Sequence, residues 1–147
     1  MSVKVAVVGY GTIGQRLADG VVLQKDMELV GVVDVAPTLA VRALVEKGMP
    51  YDFYCAIPDN ISNLEDIGVP VAGTMDDVLK KVDIVLDATS AGVGKKNKEI
   101  YQKYNLPAVF QGGEKNEIAD VFFHGYANYE KGLGKKYLKL TSCNTTG

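Results

Sequence analysis

The sequence predicts an α/β fold with a doubly wound, mostly parallel sheet, and three observations carry that expectation. Short apolar runs rich in β-branched residues (Val3–Val8, Leu29–Val33 and Ile84–Ala88) read as strands buried on both faces, the habit of a parallel sheet covered by helices. Between the first two of these runs lies the 3.6-residue period of an amphipathic helix, at Ile13, Leu17 and Val21. Strands that alternate with helices join through right-handed crossovers into a parallel sheet.

Taken in order, the strand Val3–Val8 ends at Gly9, and a helix begins at Thr12 with Ala18 and Val22 widening its Ile13, Leu17 and Val21 face. Gln24, Lys25 and Asp26 make a polar link to the strand Leu29–Val33, which stops at Asp34. A second helix is expected over Thr38–Glu46, with Gly48 as its stop and Pro50 beyond. Pro58, Pro70 and scattered Gly, Asn and Asp break residues 51–73 into short apolar pieces, to which no element is assigned. Thr74 followed three residues later by Asp77 suits an N-cap for a helix over Met75–Lys81. The strand Ile84–Ala88, a helix over Asn97–Tyr104, the strand Ala108–Phe110 and a last strand Tyr137–Thr141 complete the pattern.

The 147 residues are 47% hydrophobic and 23% charged, enough apolar material for one core, and no repeat, linker or low-complexity stretch divides them, so residues 1–147 read as a single domain. Lys and Arg number 16 against 18 Asp and Glu, a net charge of -2 that offers no broad surface for nucleic acid. The apolar runs fall far short of the roughly 20 residues that span a bilayer, and the N-terminus lacks a basic segment followed by an apolar leader. A soluble cytoplasmic protein with no membrane partner is expected. Two cysteines, Cys55 and Cys143, without a Cys-x-x-Cys or Cys/His cluster, argue against a disulfide framework and against a metal site.

Gly9-Tyr10-Gly11-Thr12-Ile13-Gly14 has the spacing G-x-G-x-x-G. Gly9 allows a tight turn, Gly11 lets a pyrophosphate approach the backbone, and Gly14 lets the helix pack close to the sheet. Free N–H groups and the positive end of the dipole at the helix start then favour phosphate. Because the motif follows a strand, opens a helix and precedes a second strand ending in an acid, it predicts a Rossmann-type dinucleotide-binding fold. Asp34, 20 residues past Gly14, is placed to accept hydrogen bonds from the adenosine ribose and to repel a 2'-phosphate, giving NAD as the preferred cofactor and NADP as a possible one. A solvated loop aspartate, or a cap for the segment from Ala36, is the plainer alternative. Ligands of such sheets bind at the carboxyl ends of strands, so Gly9, Asp34, Thr89, Gln111 and Cys143 are expected to converge on one crevice. Cys143 ends a strand ahead of Asn-Thr-Thr, where a helix start favours the thiolate and makes a nucleophile; a buried structural cysteine is the alternative, and is the reading for Cys55.

Three segments together resemble the archaeal-type glyceraldehyde-3-phosphate dehydrogenases: the Gly9–Gly14 turn, Phe110-Gln111-Gly112-Gly113-Glu114-Lys115, and Ser142-Cys143-Asn144-Thr145-Thr146. The resemblance covers the whole chain. It implies an enzyme that oxidises glyceraldehyde 3-phosphate with NAD(P) and inorganic phosphate to an acyl phosphate. Cys143 would attack the aldehyde, Thr12 and Ile13 would contact the cofactor pyrophosphate, Gly113 the cofactor near its nicotinamide, and Ser142 and Asn144 the substrate. Many members carry a lysine and a hydroxyl residue after the second strand, suited to NADP, where this chain has Val33-Asp34-Val35. In the family the chain continues past the position of Gly147 into a catalytic domain that supplies the histidine base and phosphate site, so these residues are expected to bind cofactor without completing the reaction, in a parent that is a homo-oligomer. A related semialdehyde or acyl-phosphate reductase and a stand-alone NAD(H)-binding module remain alternatives. His124, Lys95, Lys96, Lys98, Lys135, Lys136 and Lys139 are read as structural or solvated, and Tyr101, Tyr104, Tyr126 and Tyr129 as packing.

Overall fold

The computed structural model describes residues 1–111 and 113–141. Strands β1 (Val3–Val8), β2 (Met27–Asp34), β3 (Asp52–Cys55), β4 (Gly73–Thr74), β5 (Ile84–Asp87), β6 (Ala108–Phe110), β7 (Val121–Phe123) and β8 (Tyr137–Leu140) build one sheet. Its order is β4-β3-β2-β1-β5-β6-β8-β7, and every pairing is parallel. Helices α1 (Thr12–Val22), α2 (Leu39–Glu46), α3 (Ile61–Asp66), α4 (Met75–Leu79), α5 (Val93–Lys103) and α6 (Gly125–Gly132) connect the strands. From β1 the chain steps outward through β2 and β3 to β4, then returns to β5 on the other flank of β1. The strand order therefore reverses between β1 and β5, the place where open α/β sheets bind ligands.

Alternation along the strands splits the core in two. Val7, Val32 and Phe53 pack on one face under Ala18 of α1, Val41 and Leu44 of α2, and Leu64 of α3. Ala6, Val8, Val85 and Phe110 pack on the other under Val78 and Leu79 of α4 and Tyr101 of α5. Complete burial of each large apolar side chain contributes roughly 1.5–3 kcal/mol, so both layers of helices are held to the sheet. The fold is the doubly wound α/β class. Among the described residues no helix is long and apolar enough to cross a membrane.

Thr74 caps α4 as its spacing predicts, in a reciprocal box: its hydroxyl accepts from Asp77 N at 3.4 Å, and Asp77 Oδ2 accepts from Thr74 N at 2.8 Å. Other details differ from the sequence reading. Thr38 is the cap of α2 rather than its first residue, α4 ends at Leu79 rather than Lys81, and β8 ends at Leu140. Helix α5 starts at Val93, four residues before Asn97, because Gly92 takes a left-handed cap conformation at φ 84°. The open stretch 51–73 holds β3 and α3, in which Phe53, Tyr54, Cys55 and Leu64 are buried.

Four assignments need correction. Helix α1 turns Gly14, Ala18 and Val21 inward, leaving Ile13 and Val22 about half exposed, because the helix must approach the sheet on its glycine side. Lys139 is only 5% exposed, its stem lying in β8 and its Nζ resting 5.2 Å above the Phe122 ring. Lys98 is half-buried, donating to Ile118 O at 2.5 Å and covering the Tyr137 ring at 4.7 Å. Tyr126 and Tyr129 are exposed rather than packed. Tyr101, by contrast, is fully buried.

Candidate functional site

The turn after β1 is pinned to the end of β2 by two bonds. Gly9 N donates to Val33 O, and Tyr10 N donates to Asp34 Oδ2, both at 2.8 Å. The Tyr10 side chain folds under the turn, 3% exposed, with its hydroxyl 2.6 Å from that of Tyr51 and the two rings edge to face. Burial, then this contact, pushes the Tyr51 hydroxyl well above the ordinary phenol range, so both remain protonated links between the turn and the start of β3.

The three glycines of the turn are required for different reasons. Gly9 has φ 89°, and a Cβ there would lie 2.9 Å from backbone atoms of Ala88 and Thr89. A Cβ on Gly14 would lie 1.8 Å from the Gly9 carbonyl oxygen. Gly11 has φ -82°, and a Cβ there would meet nothing within 4 Å. Its lack of a side chain therefore keeps open a space at the start of α1. That helix begins with no side-chain cap and no acid in its first turn, so its leading N–H groups and the positive end of its dipole face the same space.

A groove of about 430 Å³ opens there at the carboxyl ends of β1, β2 and β5. It brings together Gly9, Gly11, Asp34 and Thr89, with Asn97 and apolar walls from Val35, Ile57 and Met75. Thr12 and Ile13 start α1 at the rim and are exposed, while Gly14 is buried beneath them. Asp34 Oδ1 accepts from Val35 N at 2.6 Å and Oδ2 accepts from Tyr10 N, so each oxygen retains acceptor capacity. Gln111 stands at the end of β6, its N–H donating to Asp87 O at 2.7 Å. Gly113 lines a neighbouring depression of about 600 Å³ with Ala91, Gly92, Lys95 and Glu114 rather than the groove. Glu114 tethers its loop to α5 by accepting from Gly94 N at 2.9 Å. Ser142, Cys143 and Asn144 lie outside the described residues. Among the described residues no group of His, Cys, Asp and Glu is arranged for a metal ion.

Cys55 is fully buried, and its thiol donates to Ile57 O at 3.0 Å. Burial pushes the thiol up, which suits a structural role. His124 caps α6, its Nδ1 accepting from Tyr126 N at 3.3 Å beside the edge strand β7.

Sequence reasoning missed Asp87, which is 1% exposed at the end of β5 and has no role in the motif reading. Its carboxylate accepts from Thr89 N and Oγ1, Asn97 Nδ2 and the Tyr101 hydroxyl. The signal was present: an acid inside an otherwise apolar strand, a threonine two residues on, and Asn97 and Tyr101 four apart on one helix face.

The family profile described as "Dihydrodipicolinate reductase, N-terminus" matches residues 3–121. The chain belongs to this family. That match ends before the last strand, whereas similarity to archaeal glyceraldehyde-3-phosphate dehydrogenases runs through the whole chain. The enzyme of that name from Pyrococcus abyssi is 52% identical over 147 residues, covering 100% of this chain and 43% of the relative. The one from Thermococcus sibiricus is 49% identical over 147 residues, again covering 100% of this chain and 43% of the relative. The one from Methanothermobacter thermautotrophicus is 46% identical over 145 residues, 99% of this chain and 42% of the relative. The chain thus spans less than half the length of these relatives, and the resemblance drawn from the three segments holds over that span. Among solved structures, the apo scyllo-inositol dehydrogenase from Lactobacillus casei superposes with a TM-score of 0.58 at 14% identity, covering 95% of this chain and 36% of that one. GenD2 from gentamicin A biosynthesis, in complex with NAD, gives 0.51 at 18% identity over 95% of this chain and 34% of that one. At such identities the likeness is one of fold.

Proposed function

We propose that this chain binds a nicotinamide dinucleotide at the β1/β5 switch point, NAD in preference to NADP, as the cofactor-binding part of a phosphorylating glyceraldehyde-3-phosphate dehydrogenase. The observation that carries the reading is the space over Gly11, held open where an uncapped helix start presents its N–H groups. A pyrophosphate fits that donor set in charge and in its need for close backbone approach. On this reading Thr12 and Ile13 supply N–H groups at the rim, Asp34 accepts from the adenosine ribose, and Thr89 faces the second nucleoside. Gly113, one depression away, takes part through the part of the cofactor that leaves the groove on the β6 side.

When bound, the nicotinamide supplies the hydride acceptor. Cys143 is the nucleophile toward the aldehyde on the same reading, with Ser142 and Asn144 holding substrate beside it; the whole-chain similarity to the archaeal enzymes supports this assignment. His124 caps α6 through Nδ1, a structural role that agrees with its having no part in the reaction. On the same reading the general base and the phosphate site belong to the part of the relatives that this chain does not cover, in a soluble cytoplasmic homo-oligomer, and residues 1–147 are the cofactor-binding domain.

Titration calorimetry with NAD and NADP tests the reading. A carboxylate and a 2'-phosphate near 4 Å repel by about 1 to 4 kcal/mol in partly solvated surroundings, so NAD is expected to bind at least about fivefold more tightly. Replacing Asp34 with Ala is expected to narrow that gap. Equal or tighter binding of NADP by the parent chain contradicts the cofactor assignment.

A further inference from the structure

Asp87 is a buried carboxylate whose partners among the described residues are all neutral donors. Oδ1 accepts from Thr89 N at 3.0 Å and Thr89 Oγ1 at 2.5 Å; Oδ2 accepts from Asn97 Nδ2 at 3.1 Å and the Tyr101 hydroxyl at 2.6 Å. Two donors on each oxygen use the full acceptor capacity of an ionised carboxyl, which only accepts. Tyr101 stays a donor, because burial and the adjacent charge hold its hydroxyl well above the ordinary phenol range.

This arrangement dictates polarity as well as position. The one hydroxyl proton of Thr89 points at Asp87, leaving lone pairs on Oγ1. The amide nitrogen of Asn97 faces Asp87, so the carboxamide oxygen is directed elsewhere. Thr89 and Asn97 both line the groove, on the β5 side of the glycine turn and opposite Asp34. A dinucleotide with its pyrophosphate over Gly11 and one nucleoside at Asp34 places its other nucleoside on that side.

We propose that Asp87 is a positioning residue that fixes Thr89 and Asn97 as hydrogen-bond acceptors for a donor on the nicotinamide riboside half of the cofactor. The donor class is a ribose hydroxyl or the carboxamide amine. The proposal rests on the cofactor reading above, and the experiment separates the two. The chain is titrated with ADP, which has neither group, with ADP-ribose, which has the sugar, and with NAD, which has both.

Thr89→Val is expected to weaken NAD by about tenfold while ADP changes by less than about twofold, and Thr89→Ser is expected to restore NAD binding. Asp87→Asn puts an amine among donors and is expected to weaken NAD by at least as much. Parallel loss with ADP-ribose identifies the sugar hydroxyl as the donor; loss confined to NAD identifies the carboxamide. Unchanged NAD affinity in Thr89→Val, or equal losses for ADP and NAD, overturns the proposal even if Asp87→Asn does not fold. A parent chain that binds NAD no more tightly than ADP also overturns it and leaves the adenosine side of the reading standing. A parent chain that binds none of the three overturns the cofactor reading itself.

Discussion

A Gly11→Val chain is expected to fold as the parent does and to lose NAD binding by more than about a hundredfold. Nothing in the folded chain lies within 4 Å of a Cβ at this position, and its backbone, φ -82° and ψ -162°, is extended and open to any residue. The position is the N-cap of α1, where valine is less favourable than glycine by roughly 1 kcal/mol or less, so melting moves by a few degrees at most. Binding is another matter. The valine methyls occupy the space through which a phosphate reaches the N–H groups of the first turn. Hydrogen bonds to a charged group are each worth about 1.5–3 kcal/mol, and the loss of two of them exceeds a hundredfold. Calorimetry beside a thermal melt reads both effects, and a variant that binds NAD within tenfold of the parent contradicts the placement of the pyrophosphate.

Gly14→Ala is expected to do the reverse, lowering stability by about 3 kcal/mol or more and melting by roughly 10 °C. In an ordinary helix interior, alanine is better than glycine by about 0.5–1 kcal/mol. Here the added Cβ would stand 1.8 Å from the Gly9 carbonyl oxygen and 3.6 Å from Val7 Cγ1. The blocking atom is backbone, and Gly9 is itself held by its N–H bond to Val33 O, so relief requires α1 to lift from the sheet. Denaturant unfolding measures the change. A stability equal to the parent's would mean that the close packing of α1 on the turn does not hold in solution.

Most of what positions the groove was legible in the sequence. β1, the glycine turn, α1 and Asp34 follow from apolar runs bounded by glycine and acid, because parallel strands buried on both faces read as nearly continuous apolar runs. The α4 cap was legible because Thr74 and Asp77 act on their own backbone. What depended on tertiary contact was not. The inward face of α1 is set by glycine packing rather than by the Ile13 stripe, and Lys139 is buried because β7 and Phe122 cover it. β3 and α3 were hidden because they are only 4 and 6 residues long and lie between Pro50, Pro58 and Gly68, too short to show a period of their own. At the site, strand ends pointed to Gly9, Asp34 and Thr89 and the glycine spacing to Gly11, and one groove brings these four together, whereas Asp87 was passed over because a motif reading does not ask what holds Thr89 in place.

A crystal structure of the chain with NAD would show where the dinucleotide lies. The pyrophosphate is expected over Gly11 at the start of α1, the adenosine ribose within hydrogen-bond distance of Asp34, and the second nucleoside beside Thr89 and Asn97. NAD bound elsewhere, or bound with its pyrophosphate away from the Gly9–Gly14 turn, would contradict this placement.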